Sequence, residues 1–142
     1  MGFFNAESKD QIKSAIQMAE NMTSGEIRVC VEKTCYINPI DRAGYFFKKL
    51  KMDETKHRNG VLIYLASDDR KFSIIGDKGI HSKTGPLFWE DSRDVMRDHF
   101  KLGKITEGVV AAILLVGMSL KKFYPHEQND KNELSDDVYE AE

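Results

Sequence analysis

The residues best suited to chemistry in this chain are four acids and one arginine: Glu26, Asp77, Glu90, Asp91 and Arg58. Hard divalent cations are held by several oxygen ligands, usually carboxylates helped by backbone carbonyls and water. Glycines at 76 and 79 bracket Asp77, so the backbone there is free to approach a neighbour closely or to turn with positive φ. A cation among these acids could polarise a phosphoryl oxygen and activate water, with Arg58 as a phosphate clamp that adds positive charge to the transition state. Each acid also has a plainer role open to it. Glu26 either pairs with Arg58 or faces water, and Asp77 caps a turn. Glu90 and Asp91 stand where a helix N-terminus favours acids regardless of any ligand.

Other chemistries find no pattern. The chain has no Cys-x5-Arg loop, no glycine-rich phosphate cradle and no catalytic histidine pair. Asp130-Lys131-Asn132 lacks the glycine and the distal glutamate of an EF-hand loop. His57, His81, His99 and His126 are scattered without zinc spacing. Cys30 falls inside a predicted strand and Cys35 just after it, where packing or exposure explains them better than nucleophilic chemistry. Two thiols and no disulfide framework fit a reducing compartment.

With 41% hydrophobic and 31% charged residues the composition is globular. A net charge of −2 and the lack of a basic stripe argue against nucleic acid. The most apolar run, Gly108 to Met118, is shorter than the roughly 20 residues a bilayer requires. The N-terminus reaches charged helical sequence without a signal-peptide core, and Ala6 stands where myristoylation wants Ser or Thr. The expectation is a cytoplasmic monomer without membrane insertion. Its length suits a single α/β domain over residues 1–125, followed by an acidic tail, 126–142, partly ordered or wrapping onto the domain.

The positioning elements follow from periodicity. Residues 8–22 read as a helix opened by a Ser8/Gln11 capping box, with Ile12, Ala15, Ile16, Ala19 and Met22 at helical spacing. Glu26 to Thr34 alternates as a strand, with Ile27, Val29 and Val31 on its drier face. Asn38-Pro39 starts a second helix whose stripe is Ile40, Ala43, Phe47 and Leu50. A polar connector, 52–59, leads to the uninterrupted apolar run Val61 to Ala66, as in a central strand covered on both faces. A tight turn then leads to a third strand, Lys71 to Gly76. Gly85-Pro86 opens a helix carrying Phe88, Trp89, Val95, Met96 and Phe100, and residues 105–123 form a buried one. Phe46, Phe47, Phe88, Trp89 and Phe100 are read as helix-to-sheet packing rather than a ligand box.

Strands one and two, joined by a helix, are expected to run parallel; strands two and three, joined by a turn, antiparallel. The start of strand one, the start of strand two and the end of strand three then share an edge. Ser24, Glu26, Arg58, Asn59, Gly76 and Asp77 gather at that rim.

The same segments carry a resemblance. Thr23-Ser24-Gly25-Glu26-Ile27-Arg28-Val29, Arg58 to Ala66 and Ile75 to Ile80 resemble, in order, the signature segments of the TPM domain family. It continues through Phe88-Trp89 into Asn132-Glu133-Leu134-Ser135-Asp136, similar to an Asn-Glu-Leu-Pro-Asp tail in short bacterial members, with Ser135 in place of the proline. The resemblance implies a three-layer α/β/α sandwich on a small central mixed sheet. It also implies divalent-cation binding, chiefly calcium with magnesium as the alternative, and a disputed acid phosphatase activity known for plant relatives. Through the tail, Asp136 joins Glu26, Asp77, Glu90 and Asp91 as a candidate ligand. The expected role is a cation-binding regulatory module whose ion orders the rim loops for a protein partner. The alternative is a metal-dependent phosphomonoesterase with no recognisable nucleophile motif.

Overall fold

A computed structural model describes residues 3–85, 87–127 and 134–141. The elements are α1 (Ala6–Glu20), β1 (Glu26–Glu32), α2 (Pro39–Lys49), a 3-10 turn (Met52–Glu54), β2 (Gly60–Ala66), β3 (Lys71–Gly76), α3 (Lys78–Lys83), α4 (Glu90–Lys101), α5 (Ile105–Lys121) and β4 (Tyr139–Glu140). The sheet order is β3-β2-β1-β4. β1 runs parallel to β2, with Glu26 opposite Gly60, and β2 antiparallel to β3, with Val61 opposite Gly76. This is the expected mixed sheet. The acidic tail supplies a strand that the sequence pattern did not signal, pairing Cys30 with Tyr139 in parallel.

Helices cover both faces. Ile27, Val29 and Val31 join Val61, Ile63 and Leu65 against Ile12, Ile16, Met96, Ile113 and Val116 on the α1/α4/α5 side. Cys30, Leu62 and Tyr64 pack against Ala43, Phe46, Phe47 and Met52 on the α2 side. β1 therefore has no wet face: Cys30 is fully buried despite the polar alternation around it. Each buried aliphatic side chain in these layers contributes roughly 1.5–3 kcal/mol. α1 and α5 approach closely enough that a Cβ at Gly117 would lie 2.8 Å from the Cβ of Ala19. Among the described residues, no helix is long and apolar enough to cross a membrane.

Several local expectations need correcting. α1 starts earlier than the Ser8/Gln11 box, because the Asn5 side chain caps it by accepting from the Ser8 N–H at 2.8 Å. Asn38 does cap α2, through the Ile40 N–H at 2.8 Å, but Ile40 itself is exposed and Phe46 takes the core position. The 52–59 connector buries Met52. A short helix, α3, intervenes before residue 85, and α4 begins only at Glu90. Pro86, Asp130 and the Asn132-Glu133 part of the tail motif lie outside the described residues.

Candidate functional site

The rim forms as the strand directions require. The Asp77 N–H donates to the Gly60 carbonyl at 2.9 Å, and the Glu26 N–H to the Asn59 carbonyl at 3.3 Å, so Glu26, Asn59 and Asp77 border one edge of the sheet. Thr23 and Ser24, before β1, are stitched to the end of α5. The Ser24 N–H donates to the Tyr124 carbonyl at 3.0 Å, and the Thr23 hydroxyl donates to the same carbonyl.

Within that edge the acids divide into two groups. Asp77, nearly buried, accepts two hydrogen bonds from Arg58, from Nε at 2.8 Å and from the terminal guanidinium at 3.0 Å. It also caps α3 by accepting from the Lys78 N–H at 2.7 Å. Arg58 holds a left-handed conformation, φ 50°, and its guanidinium is raised above its ordinary value by the hydrogen bond to Asp77 and by that carboxylate's charge. Gly79 lets α3 press onto this loop: a Cβ there would lie 2.6 Å from the Arg58 carbonyl oxygen. So Glu26 is not the partner of Arg58. Asp77 is, and the arginine expected to clamp phosphate is held by two bonds.

The second group lies around the start of β1. Glu20, the last residue of α1, accepts from the Ile27 N–H at 3.1 Å through Oε2. Burial, a hydrogen bond with Asp136 and the charge of Glu26 push its carboxyl up to about 10 from an ordinary 4.5, against the opposing pull of the Ile27 N–H. Glu26, itself buried, accepts from the Leu134 N–H at 3.1 Å. The Asp136 Oδ1 is buried without a hydrogen-bond partner. Lys13 adds an ion pair to Asp137 at 3.0 Å, and Lys9 pairs with Glu140, so segment 134–141 is fastened to α1 as well as to β1.

The structure thus brings Glu26 and Asp136 together, sets Asp77 apart with Arg58, and leaves Glu90 and Asp91 exposed in the first turn of α4. Among the described residues, no three His, Cys, Asp or Glu side chains converge as a ready-made metal cage. Glu20 escaped the sequence reading. Its signal was position: an acid in the last turn of a helix opposes the macrodipole, so it needs a local reason to be there.

At the other end of β1, Glu32 accepts two bonds from Arg42, at 2.8 and 3.0 Å, and one from the Tyr64 hydroxyl. Burial works against its charged form, but the Arg42 and Tyr64 bonds outweigh it and hold the carboxyl below its ordinary value. Cys30 is pushed up to about 12, by burial first and then by the Glu32 charge, which leaves it an inert thiol.

The architecture defines a small α/β sandwich domain with a mixed four-stranded sheet and an acidic seam where the C-terminal segment meets β1. The TPM domain family model matches residues 1–118, and the chain belongs to that family. The chain is similar to the BA42 protein of the psychrophilic bacterium Bizionia argentinensis, solved by NMR. Identity is 44%, the TM-score is 0.92, and the match covers 98% of this chain and 96% of that one. An N-terminal domain from a P. gingivalis protein, also solved by NMR, shares the fold at TM-score 0.70 and 19% identity, over 90% and 84% of the two chains. No curated protein matches the sequence significantly.

Proposed function

We propose that this TPM domain is a divalent-cation-binding module, calcium being the expected ion and magnesium the alternative, with the ion drawn to Glu20, Glu26 and Asp136. The observation that carries the reading is the meeting of acids at the start of β1: Glu20 Oε2 accepts from the Ile27 N–H, and Glu26 Oε1 accepts from the Leu134 N–H of the segment that bears Asp136, while burial, Asp136 and Glu26 raise the Glu20 carboxyl to about 10. The charges of Glu26 and Asp136 both act against an ionised Glu20, and a proton on Glu20 relieves that repulsion at neutral pH. A cation would do so more fully, displacing the proton. The donor set fits a hard ion: carboxylate oxygens, among them the partnerless Asp136 Oδ1, with backbone carbonyls and water to complete six to eight ligands.

Because Asp136 belongs to the segment that adds β4, an ion there would fasten that segment to β1 and present it to a protein partner. Metal-dependent phosphomonoester hydrolysis has less support, since its proposed clamp, Arg58, is engaged with Asp77. The test is a calcium titration followed by amide resonances and by melting temperature, in the wild type and in Glu20→Gln and Asp136→Asn. Saturable shifts around residues 20, 26 and 134–137, lost in both variants, are expected. Unchanged spectra, or shifts centred on Glu90 and Asp91, would remove the seam from consideration.

A further inference from the structure

Arg28 is a cation that the described contacts leave without a carboxylate. It lies on the α2-facing side of β1, between Glu26 and Cys30, with its guanidinium over the Tyr139 ring, 5.7 Å from the centroid. Arg42 and Arg58 are each committed to a carboxylate through two hydrogen bonds. Arg28 Nε, by contrast, is the one guanidinium nitrogen among the described residues that is buried without an acceptor. A guanidinium presents a planar fork of donors matched to carboxylate and phosphate oxygens, and a buried donor left unused is a standing demand for such a group.

Arg28 lines a cleft of about 400 Å³ between the 3-10 turn and the C-terminal segment. Thr55, Lys51 and Ser135 line it too. Thr55 is 4% exposed, and its oxygen already accepts from the Asn59 N–H at 3.3 Å, so its hydroxyl hydrogen is the part left to donate. Lys51 adds a second positive charge. Among the described lining residues the single carboxylate is Glu54, which is exposed, so an incoming anion is repelled from that side and drawn toward Arg28 and Thr55. The volume suits a small molecule rather than a folded partner.

We infer that the Arg28 cleft is a binding site for the oxyanion group, phosphate or carboxylate, of a small-molecule ligand. The inference uses neither Arg58 nor the acidic seam and stands apart from the cation reading.

The test is an amide and arginine-side-chain resonance titration of the full chain, stripped of metal, at constant ionic strength. Inorganic phosphate and acetate are added in separate arms. Expected are saturable shifts of the Arg28 Nε–H and of the amides of Lys51, Thr55 and Ser135. Arg28→Gln should weaken binding by about tenfold or more. Thr55→Val should weaken it severalfold with Arg28 in place, and Thr55→Ser should restore it. A response to phosphate alone assigns the site to phosphate esters; a comparable response to acetate extends it to carboxylates. The inference is overturned if neither anion gives saturable shifts, if the shifts centre on Arg58 or Lys83, or if a folded Arg28→Gln variant binds as the wild type does. Because the Arg28 resonance reports directly in the wild type, the test does not depend on any variant folding.

Discussion

The backbone N–H of Ile27, on the side of β1 turned away from β2, donates to Glu20 Oε2 at 3.1 Å. A helix-terminal acid thereby supplies the acceptor that a neighbouring strand would otherwise provide, and it does so beside two further acids, Glu26 and Asp136. The Glu20 carboxyl is raised above its unfolded value, so the stability it confers is full below pH 4.5 and is lost as pH rises toward about 10. Melting of the metal-free protein should therefore fall over that range, and Glu20→Gln, which cannot ionise, should flatten the fall. Calcium binding should release a proton and tighten with pH. At a hundredfold excess of calcium over Kd the ion should add about 2.7 kcal/mol to the wild type. A metal-free melting profile that rises between pH 6 and 9 would contradict this account.

Glu32 works in the opposite sense. Its carboxyl is held below the ordinary 4.5, so its contribution is present above that value and lost as pH falls through the lowered one. Glu32→Gln should cost about 1–3 kcal/mol near neutrality, since Arg42 and Tyr64 lose a charged acceptor, and should blunt the acid limb of the pH profile. Chemical denaturation at pH 3 and pH 7 measures the difference directly. An equal cost at both would deny Glu32 the role of acid-sensitive brace.

Arg58 and Asp77 form an unequal pair: the Asp77 side chain is 5% exposed and that of Arg58 44%. Removing the arginine strands a buried carboxylate, so Arg58→Ala should lower the urea midpoint, by less than the loss of a fully buried pair would because solvent screens the arginine side. In an Asp77→Asn background the same Arg58→Ala change should cost much less. A double-mutant cycle with no coupling would show the pair to be idle.

Two glycines should respond oppositely to alanine. At Gly79 the new methyl meets two backbone oxygens, of Arg58 at 2.6 Å and His57 at 2.7 Å, which have no rotamer to escape through; a loss of about 3 kcal/mol is expected. At Gly44, inside α2, nothing lies within 4 Å of the added carbon, and helix propensity should bring a gain of about 0.5–1 kcal/mol. Urea midpoints of the two variants should bracket the wild type.

Local physics made much of this molecule readable from its residues. Alternation at Ile27, Val29 and Val31, the unbroken run from Val61 to Ala66 and the Asn38-Pro39 start of α2 announced their elements, because side-chain period and backbone capping are short-range properties. Strand directions followed from connection lengths, and with them the rim that holds Glu26, Asn59 and Asp77. The choice of partners along that rim was beyond such reasoning. Whether Arg58 takes Asp77 or Glu26, and whether Asp136 reaches Glu20, depends on residues up to 116 positions apart meeting at a seam whose spacing the packed helices set. Hydrogen bonds and charge pairing act over a few ångströms, so only the assembled tertiary structure could settle that Arg42 takes Glu32, that Arg58 takes Asp77 and that Arg28 Nε is buried without an acceptor.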